Sequence, residues 1–497
     1  MVELNSIVEQ LETIRESEMI ELKGSRDLPK AFWETYSAFC NTSGGVIILG
    51  VKEGSPKNEI TGVGNKEKVI SDLWNQLSNP QKVSFNNIRP EDVICREVDG
   101  NDVILVKVDE VPNHLKPVYL QDKLENTYLR TGDGDRKATR DQLSALLRNA
   151  QPIEDGLIAE DFSIQDLDSY SIKVFKERVS ERYPSKEYDK LSAEQFLNEI
   201  GAGRYNRKSN VFQLYKGTVL FFGKVNAIHE IFPRFHLDFF NRRGSNPRWV
   251  DRVTDDEPSE HEMNIFNFYS IVHEKLKLLT NNSFELGSDQ IRLPSQDVDE
   301  ALRECLINCL AHADYAKGYP STRITAYDGW FSFLNPGKML IPKENFISGG
   351  DSRPRNEIIM KFFRLLGVSE RQGFGGPLIF KTAQKNDFRC PEIDTDIEHT
   401  ELRLWSIDLA DSYPDLDLGT KTVLRALVKS KRPRSTTELK AMTNMTDYAI
   451  RKHLGKLMEK KIVSISGSGP STKYYVVREK ELLTTIQILM EDIKKSL

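Results

Sequence analysis

A short stretch near the start of the chain does most to limit how it can fold, because it fixes a strand, a helix and a second strand in direct succession. Ile20 and Leu22 alternate with Glu21 and Lys23, a period of two that predicts a strand with apolar side chains on one face and charged ones on the other. From Leu28 to Asn41 the residues Phe32, Tyr36, Phe39 and Cys40 recur at helical spacing. Gly44-Gly45 then supplies the positive φ needed to turn at once into a strand over Val46–Val51. Glu53 follows just past that strand, on the face of Val51.

Glu16, Glu21 and Glu53 are thereby expected to converge beside Lys23. Three carboxylates and a cation suit a divalent-metal phosphodiesterase: carboxylates hold Mg2+ or Mn2+, the metal activates water, and the cation meets the developing phosphorane charge. The same residues also read as solvated acids around a helix start, since glutamate is mostly a surface residue. Spacing alone leaves both readings open.

The segment resembles the Schlafen core, or AlbA-like, domain. The resemblance rests on Glu16-Ser17, Glu21-Leu22-Lys23, Phe39-Cys40-Asn41-Thr42, Gly44-Gly45 and Gly50-Val51-Lys52-Glu53, with a closing pattern at Tyr128-Leu129-Arg130-Thr131-Gly132. It implies a metal site made of Glu16, Glu21 and Glu53, with Lys23 beside it from the strand pattern; Arg130, Arg136 and Lys137 are the candidate nucleic-acid contacts of this region. The third acid is Glu where the family usually has Asp. Many members of the family are known as nucleic-acid-binding domains, so the resemblance speaks for binding more than for cutting.

At 497 residues the chain exceeds one hydrophobic core and is expected to form about three or four domains. An acidic N-terminus without an apolar run, and no stretch long enough for a membrane helix, imply a cytoplasmic protein with no membrane partner. Five cysteines without a C-x-x-C pair speak against a disulfide framework or structural zinc. Charge is unevenly placed: Thr420–Lys480 holds 15 Lys plus Arg against 4 Asp plus Glu, a local +11 in a chain of net charge −5. A basic C-terminal module on an acidic body points to a polyanion contact at one end.

A second chemical site is expected on a helix over Ala301–Tyr315. Leu302, Cys305, Leu306, Cys309 and Leu310 form its apolar stripe, while Glu304, Asn308 and His312 recur every four residues on another face. A glutamate one turn before an asparagine can deprotonate a water while the amide oxygen ligates Mg2+. An ordinary polar stripe on a surface helix has the same spacing. Downstream, Phe331–Gly337 reads as a strand running into a turn. Gln372-Gly373-Phe374-Gly375-Gly376 then opens a helix, an arrangement that offers backbone N–H groups to phosphate.

This order resembles the divergent GHKL (Bergerat-fold) ATPase module. The resemblance implies ATP with Mg2+, Glu304 as general base, Asn308 as Mg2+ ligand, Asn335 with Gly337 at the adenine position, and Gly373, Gly375 and Gly376 at the phosphates. Asn335-Pro336-Gly337 stands where the family has Asp-x-Gly. Between these two sites, residues 151–285 show helical periodicity, with strand candidates at Gly217–Lys224 and Phe235–Phe240. The acidic loop Asp251–Glu262 reads as solvated linker rather than as a metal site.

After residue 410 the sequence predicts helix, helix, helix and hairpin. Ser435 with Glu438 marks one helix start and Thr446 another; strands at Ile462–Ile465 and Lys473–Val477 flank a glycine turn. The pattern resembles a winged helix, with Thr446, Tyr448, Arg451 and Lys452 facing nucleic acid and Lys473 on the wing. The expected architecture is thus a multidomain α+β chain. It comprises a Schlafen-like α/β domain at 1–150, a helix-rich connector at 151–285, a GHKL-type α/β sandwich at 286–410, a winged helix at 411–480 and a terminal helix at 481–497. The expected function is an ATP-regulated, homo-oligomeric nucleic-acid effector with metal-dependent RNase or DNase activity in a stress or anti-phage role. Its competitor is an ATP-responsive, non-enzymatic winged-helix regulator.

Overall fold

The computed structural model describes residues 7–8, 11–150, 154–244, 248–282, 296–350, 352–369, 373–430, 432–467 and 469–477. Gln151 to Ile153, Arg371, Gln372 and the expected helix at 481–497 lie outside the described residues. The chain is a mixed α+β molecule that divides into two compact units, Met1–Pro152 and Ile153–Leu483.

The first unit is built on β1 (Ile20–Lys23), α1 (Lys30–Asn41) and β2 (Gly45–Leu49). It continues through α2 (Lys66–Leu77), β3 (Val93–Val98), β4 (Asn101–Val108), the hairpin β5 (Lys123–Thr131) and β6 (Gly134–Lys137), and α3 (Arg140–Ala150). β1 runs parallel to β2, Ile20 opposite Val46 and Lys23 opposite Leu49, and the sheet order is β1-β2-β4-β3. A parallel pair needs a crossover, and α1 supplies it. The tight return to β2 depends on glycine: Gly44 has φ +72°, and a Cβ on Gly45 would sit 2.6 Å from the Phe39 ring. Both sheet faces are covered. Ile47, Leu49, Ile104 and Val106 pack with Phe32, Tyr36 and Phe39, while Ile48, Val103 and Leu105 pack with Leu11 and Leu22. Hence the unbroken apolar run in β2.

In the second unit α4 (Ser169–Arg182), α5 (Lys216–Phe222) and α6 (Val225–Ile231) precede a six-stranded sheet. Its strands are β7 (Leu237–Asn241), β8 (Asp251–Thr254), β9 (Thr322–Tyr327), β10 (Trp330–Pro336), β11 (Glu392–Thr395) and β12 (His399–Trp405), in the order β8-β7-β9-β10-β12-β11. β7 and β9 are parallel, joined through α7 (Ile265–Asn282) and α8 (Gln296–His312); every other neighbouring pair is antiparallel. Among the described residues three helices fall between β10 and β11: a short one at Lys343–Ser348, α9 (Glu357–Leu366) and α10 (Gly375–Lys385). The apolar stripe of α8 is buried, and Phe175, Phe221, Phe222, Phe266 and Phe362 form a cluster of mostly edge-to-face rings. Each such ring contributes about 1.5–3 kcal/mol by burial.

One expected strand is a helix. Gly217–Lys224 was read as extended, yet Lys216–Phe222 is α5, buried from Gly217 to Phe222. A short run that is apolar on every side has no period to separate a buried helix from a buried strand. Gly217 is needed there, since a Cβ would lie 2.8 Å from Asp155 Oδ2 and from Ile358.

The C-terminal part of this unit has its own small core of Val423, Leu424, Leu439, Ile450, Leu454 and Val463. It consists of α11 (Leu418–Ser430), α12 (Thr436–Thr443) and α13 (Asp447–Glu459), then the antiparallel hairpin β13 (Val463–Ser466) and β14 (Lys473–Val476). Ser435 and Glu438 form a reciprocal capping box on α12, and Thr446 caps α13.

Candidate functional site

In the first unit Glu21 and Lys23 project together and are ion-paired, as the strand period requires. Glu21 is nonetheless buried, because Arg130 from β5 reaches it. Arg130 Nη1 lies 2.7 Å from Glu21 Oε2 and 2.9 Å from Asp135 Oδ1, and Nη2 donates to the carbonyls of Ser17 (2.7 Å) and Ile20 (3.2 Å). Its side chain is 1% exposed. This corrects the expected nucleic-acid contact at Arg130: the guanidinium is an internal clamp on β1. Arg136 and Lys137 are exposed.

Glu16 and Glu53 complete the expected triad only loosely. The Glu16 amide donates to Glu53 Oε1 at 3.4 Å, and Glu16 Oε1 accepts from the Leu22 amide at 3.1 Å. Burial first, then the charges of Glu21 and Glu53, hold the Glu16 carboxyl above its usual range. Among the described residues the triad is not a set whose ligand atoms all lie within 4.8 Å of one another.

In the second unit the polar face of α8 looks into a cavity of about 310 Å³. Glu304, Asn308 and His312 line it, and so do Gly373, Gly375 and Gly376 from the start of α10. Asn308 Nδ2 donates to Glu304 Oε1 at 3.0 Å, which turns the amide oxygen away from the carboxylate. Burial, with the charge of Arg355, pushes the His312 imidazole down to about 4, so it is neutral at pH 7. The glycines are there for space: a Cβ on Gly375 would come within 2.0 Å of Glu304 Oε1, and one on Gly376 within 1.8 Å of the Phe346 carbonyl. The N-cap residue of α10, Phe374, makes no side-chain cap, and the backbone of the helix starts beside the Glu304 carboxylate. An amide oxygen and a carboxylate are groups that would hold a divalent ion, and a glycine turn opening a helix is one that would meet phosphate.

Sequence reasoning missed part of the wall. Glu357, Met360 and Arg364 line the cavity along one face of α9, at spacings of three and four, and Arg353 faces it from the preceding loop. Arg355 and Lys361 stand close by in the sequence. Those two point elsewhere: Arg355 donates to the carbonyls of His312 and Lys338, and Lys361 to that of Gly201. Asp155 fixes α9 in place. Its Oδ2 accepts from the amides of Ile358 (2.7 Å) and Ile359 (3.2 Å) in the first turn.

Asn335 and Gly337, expected at the adenine position, do not line this cavity. Asn335 is buried at the end of β10 and donates to the Pro336 carbonyl; Gly337 is held by Glu398 and Thr400. Of the residues expected to face nucleic acid, Thr446, Tyr448, Arg451, Lys452 and Lys473 are all exposed, Tyr448 to 80%.

Three family models match parts of the chain. A Schlafen AlbA_2 model matches residues 16–139, a domain of unknown function (DUF8451) matches 144–238, and a model described as "Putative ATP-dependent DNA helicase recG C-terminal" matches 321–404. The protein thus carries a Schlafen AlbA_2 domain followed by a RecG-type HATPase_c_4 segment. Among solved structures, a protein of Corynebacterium diphtheriae is similar with 14% identity and a TM-score of 0.40, covering 96% of this chain and 99% of its own. The N-terminal domain of a RecG-related protein of Nitrosomonas europaea is similar with 26% identity and a TM-score of 0.21, covering 28% of this chain and 88% of its own. No curated protein matches the chain. No helix among the described residues is long and apolar enough to cross a membrane.

Proposed function

We propose that this protein is an ATP-responsive nucleic-acid-binding protein in which nucleotide occupancy of the α8–α10 cavity governs engagement of nucleic acid. The observation that carries the reading is the Glu304–Asn308 pair set against a glycine turn with no room for a Cβ. Asn308 Oδ1 would hold the Mg2+, Glu304 would orient a water, Gly373, Gly375 and Gly376 would offer N–H groups to phosphate, and Arg353 and Arg364 would balance its charge. The matched Schlafen AlbA_2 domain supports a nucleic-acid contact in the first unit. The basic C-terminal module, read as a winged helix, supports a second through Tyr448, Arg451, Lys452 and Lys473. We keep the domain limits of 1–150, 151–285, 286–410 and 411–480, and homo-oligomerisation, within this proposal.

A second reading is metal-dependent cleavage at Glu16, Glu21 and Glu53. It is favoured by the raised carboxyl of Glu16, which burial and then the charges of Glu21 and Glu53 hold up and which a bound cation would lower. The pairing of Glu21 with Arg130 and Lys23 places it second, because a metal would have to compete with two cations already on that carboxylate.

The experiment is a mobility-shift assay on labelled total RNA and plasmid DNA, with and without Mg-ATP, for the wild type and Asn308→Ala, with Mn2+ added in parallel to score cutting. ATP-dependent shifts lost in the variant, without new ends, are the expected result. Cutting with Mn2+ that Glu21→Gln abolishes would transfer the function to the second reading, and shifts indifferent to ATP would refute ATP control.

A further inference from the structure

The sequence presents the acidic loop after β8 as solvated linker. The structure folds it back onto two histidines. Strands β7 and β8 pair with Asp238 opposite Thr254, so the residues beyond that end, His236 and Leu237 on one side and Asp255 and Asp256 on the other, are brought together. The Leu237 amide donates to Asp255 Oδ1 at 2.6 Å and fixes the loop there. His229 arrives from α6.

The ligand atoms of His236, Asp255 and Asp256 all lie within 4.8 Å of one another. His236 Nδ1 is 2.9 Å from Asp255 Oδ1 and 3.5 Å from Asp256 Oδ2, and His229 Nε2 is 3.4 Å from Asp255 Oδ2. That last oxygen is the telling one. The Asp255 side chain is 0% exposed, and its Oδ2 is buried without a hydrogen-bond donor while Asp255 lines a cavity of about 730 Å³. A buried carboxylate oxygen left so is costly unless a cation completes it.

The other ring nitrogen of His236 is also arranged. Nε2 lies 2.8 Å from Asp238 Oδ2, and Asp238 is held in turn by Arg252 at 2.9 Å. With Nε2–H given to Asp238, Nδ1 faces two carboxylates, a geometry that needs a proton or a metal ion between them. A carboxylate that orients the far side of an imidazole is the usual outer support of a metal-bound histidine.

We propose that His236, Asp255 and Asp256, with His229 as fourth ligand, form a binding site for a first-row divalent cation, Zn2+ before Mn2+. Imidazole nitrogen with carboxylate oxygen suits these ions better than Ca2+, which takes oxygen alone. The site lies outside the nucleotide cavity and the Glu16–Glu21–Glu53 cluster. It would tie the β8 loop to α6 and β7.

The test is calorimetric titration of the chelator-stripped full chain with Zn2+, and optical titration with Co2+. The variants are Asp256→Asn, His229→Gln, Asp238→Asn and, as control, Glu53→Gln, each checked by thermal melting. We expect one equivalent bound by the wild type. Affinity should fall about tenfold or more in the first two variants and about 10- to 100-fold in Asp238→Asn. The Co2+ complex should lack a thiolate charge-transfer band, and Glu53→Gln should bind as the wild type does. Asp256 is exposed, so loss in that variant with an unchanged melt cannot be ascribed to misfolding. Absence of stoichiometric binding would mean that a proton alone bridges the groups. Binding unchanged in Asp256→Asn and His229→Gln, or lost in Glu53→Gln, would place the ion elsewhere. Either result overturns the site.

Discussion

Of the four glutamates expected to do chemistry, the structure treats Glu21 and Glu304 differently. Glu21 is buried against Arg130 and Lys23, in a lattice that also takes up Asp135 and two backbone carbonyls. Glu304 is equally buried, accepts from the amide of Asn308, and lines a cavity beside the glycine turn that opens α10. The second unit thus sets its carboxylate against a cavity and a glycine turn, whereas the first sets Glu21 in an ion-pair cluster beside Glu16 and Glu53.

The comparison can be broken most sharply by removing Arg130. Arg130→Met leaves Glu21 and Asp135 buried without their shared cation, and chemical denaturation should register a loss of about 3–5 kcal/mol. A loss below about 1 kcal/mol would mean that Glu21 is solvated, and the nuclease reading would regain its place. Next in size is Gly376→Ala. The new methyl collides with the Phe346 backbone, so we expect about 1–3 kcal/mol of destabilisation by the same measurement together with loss of nucleotide binding.

The pH dependence of stability sharpens the account of α9. Burial raises the Asp155 carboxyl from its ordinary value to about 7. The folded state therefore holds this proton more tightly than the unfolded state. The stabilisation is complete below the unfolded value and is lost as pH rises through about 7, at no more than about 1.4 kcal/mol per pH unit. Asp155→Asn keeps an acceptor for the amides of Ile358 and Ile359 and should flatten that slope in melts between pH 5 and 8. An unchanged slope would detach Asp155 from it. The smallest expected effect is in the basic module. Arg451→Ala or Lys452→Ala should weaken nucleic-acid binding modestly and reduce the slope of log K against log salt by about 1. No change in slope would remove α13 from the interface.

Much of this was readable from local pattern. The strand–helix–strand start, the polar stripe of α8, the Ser435–Glu438 box and the exposed face of α13 each depend on residues within a few positions of one another. What escaped depends on distant partners. Nothing around Tyr128-Leu129-Arg130 reveals that its guanidinium turns inward to meet β1, and nothing around Asp255 announces His229 and His236, which only the pairing of β7 with β8 brings near. Arg364 did carry a signal, since Glu357, Met360 and Arg364 share one helical face. It was masked because Met360 also reads as core. The run from Gly217 to Phe222 carried none, being apolar on every side.

The most direct test of the nucleotide site is equilibrium binding of Mg-ATP to the full-length wild type, Asn308→Ala and Gly375→Ala, followed by calorimetry alongside melting curves. The account predicts binding by the wild type, at least about tenfold weaker binding by Asn308→Ala with an unchanged melt, and weaker binding by Gly375→Ala, whose methyl would displace Glu304. Saturable binding that both variants leave untouched, or no binding by the wild type at millimolar ATP, would contradict it.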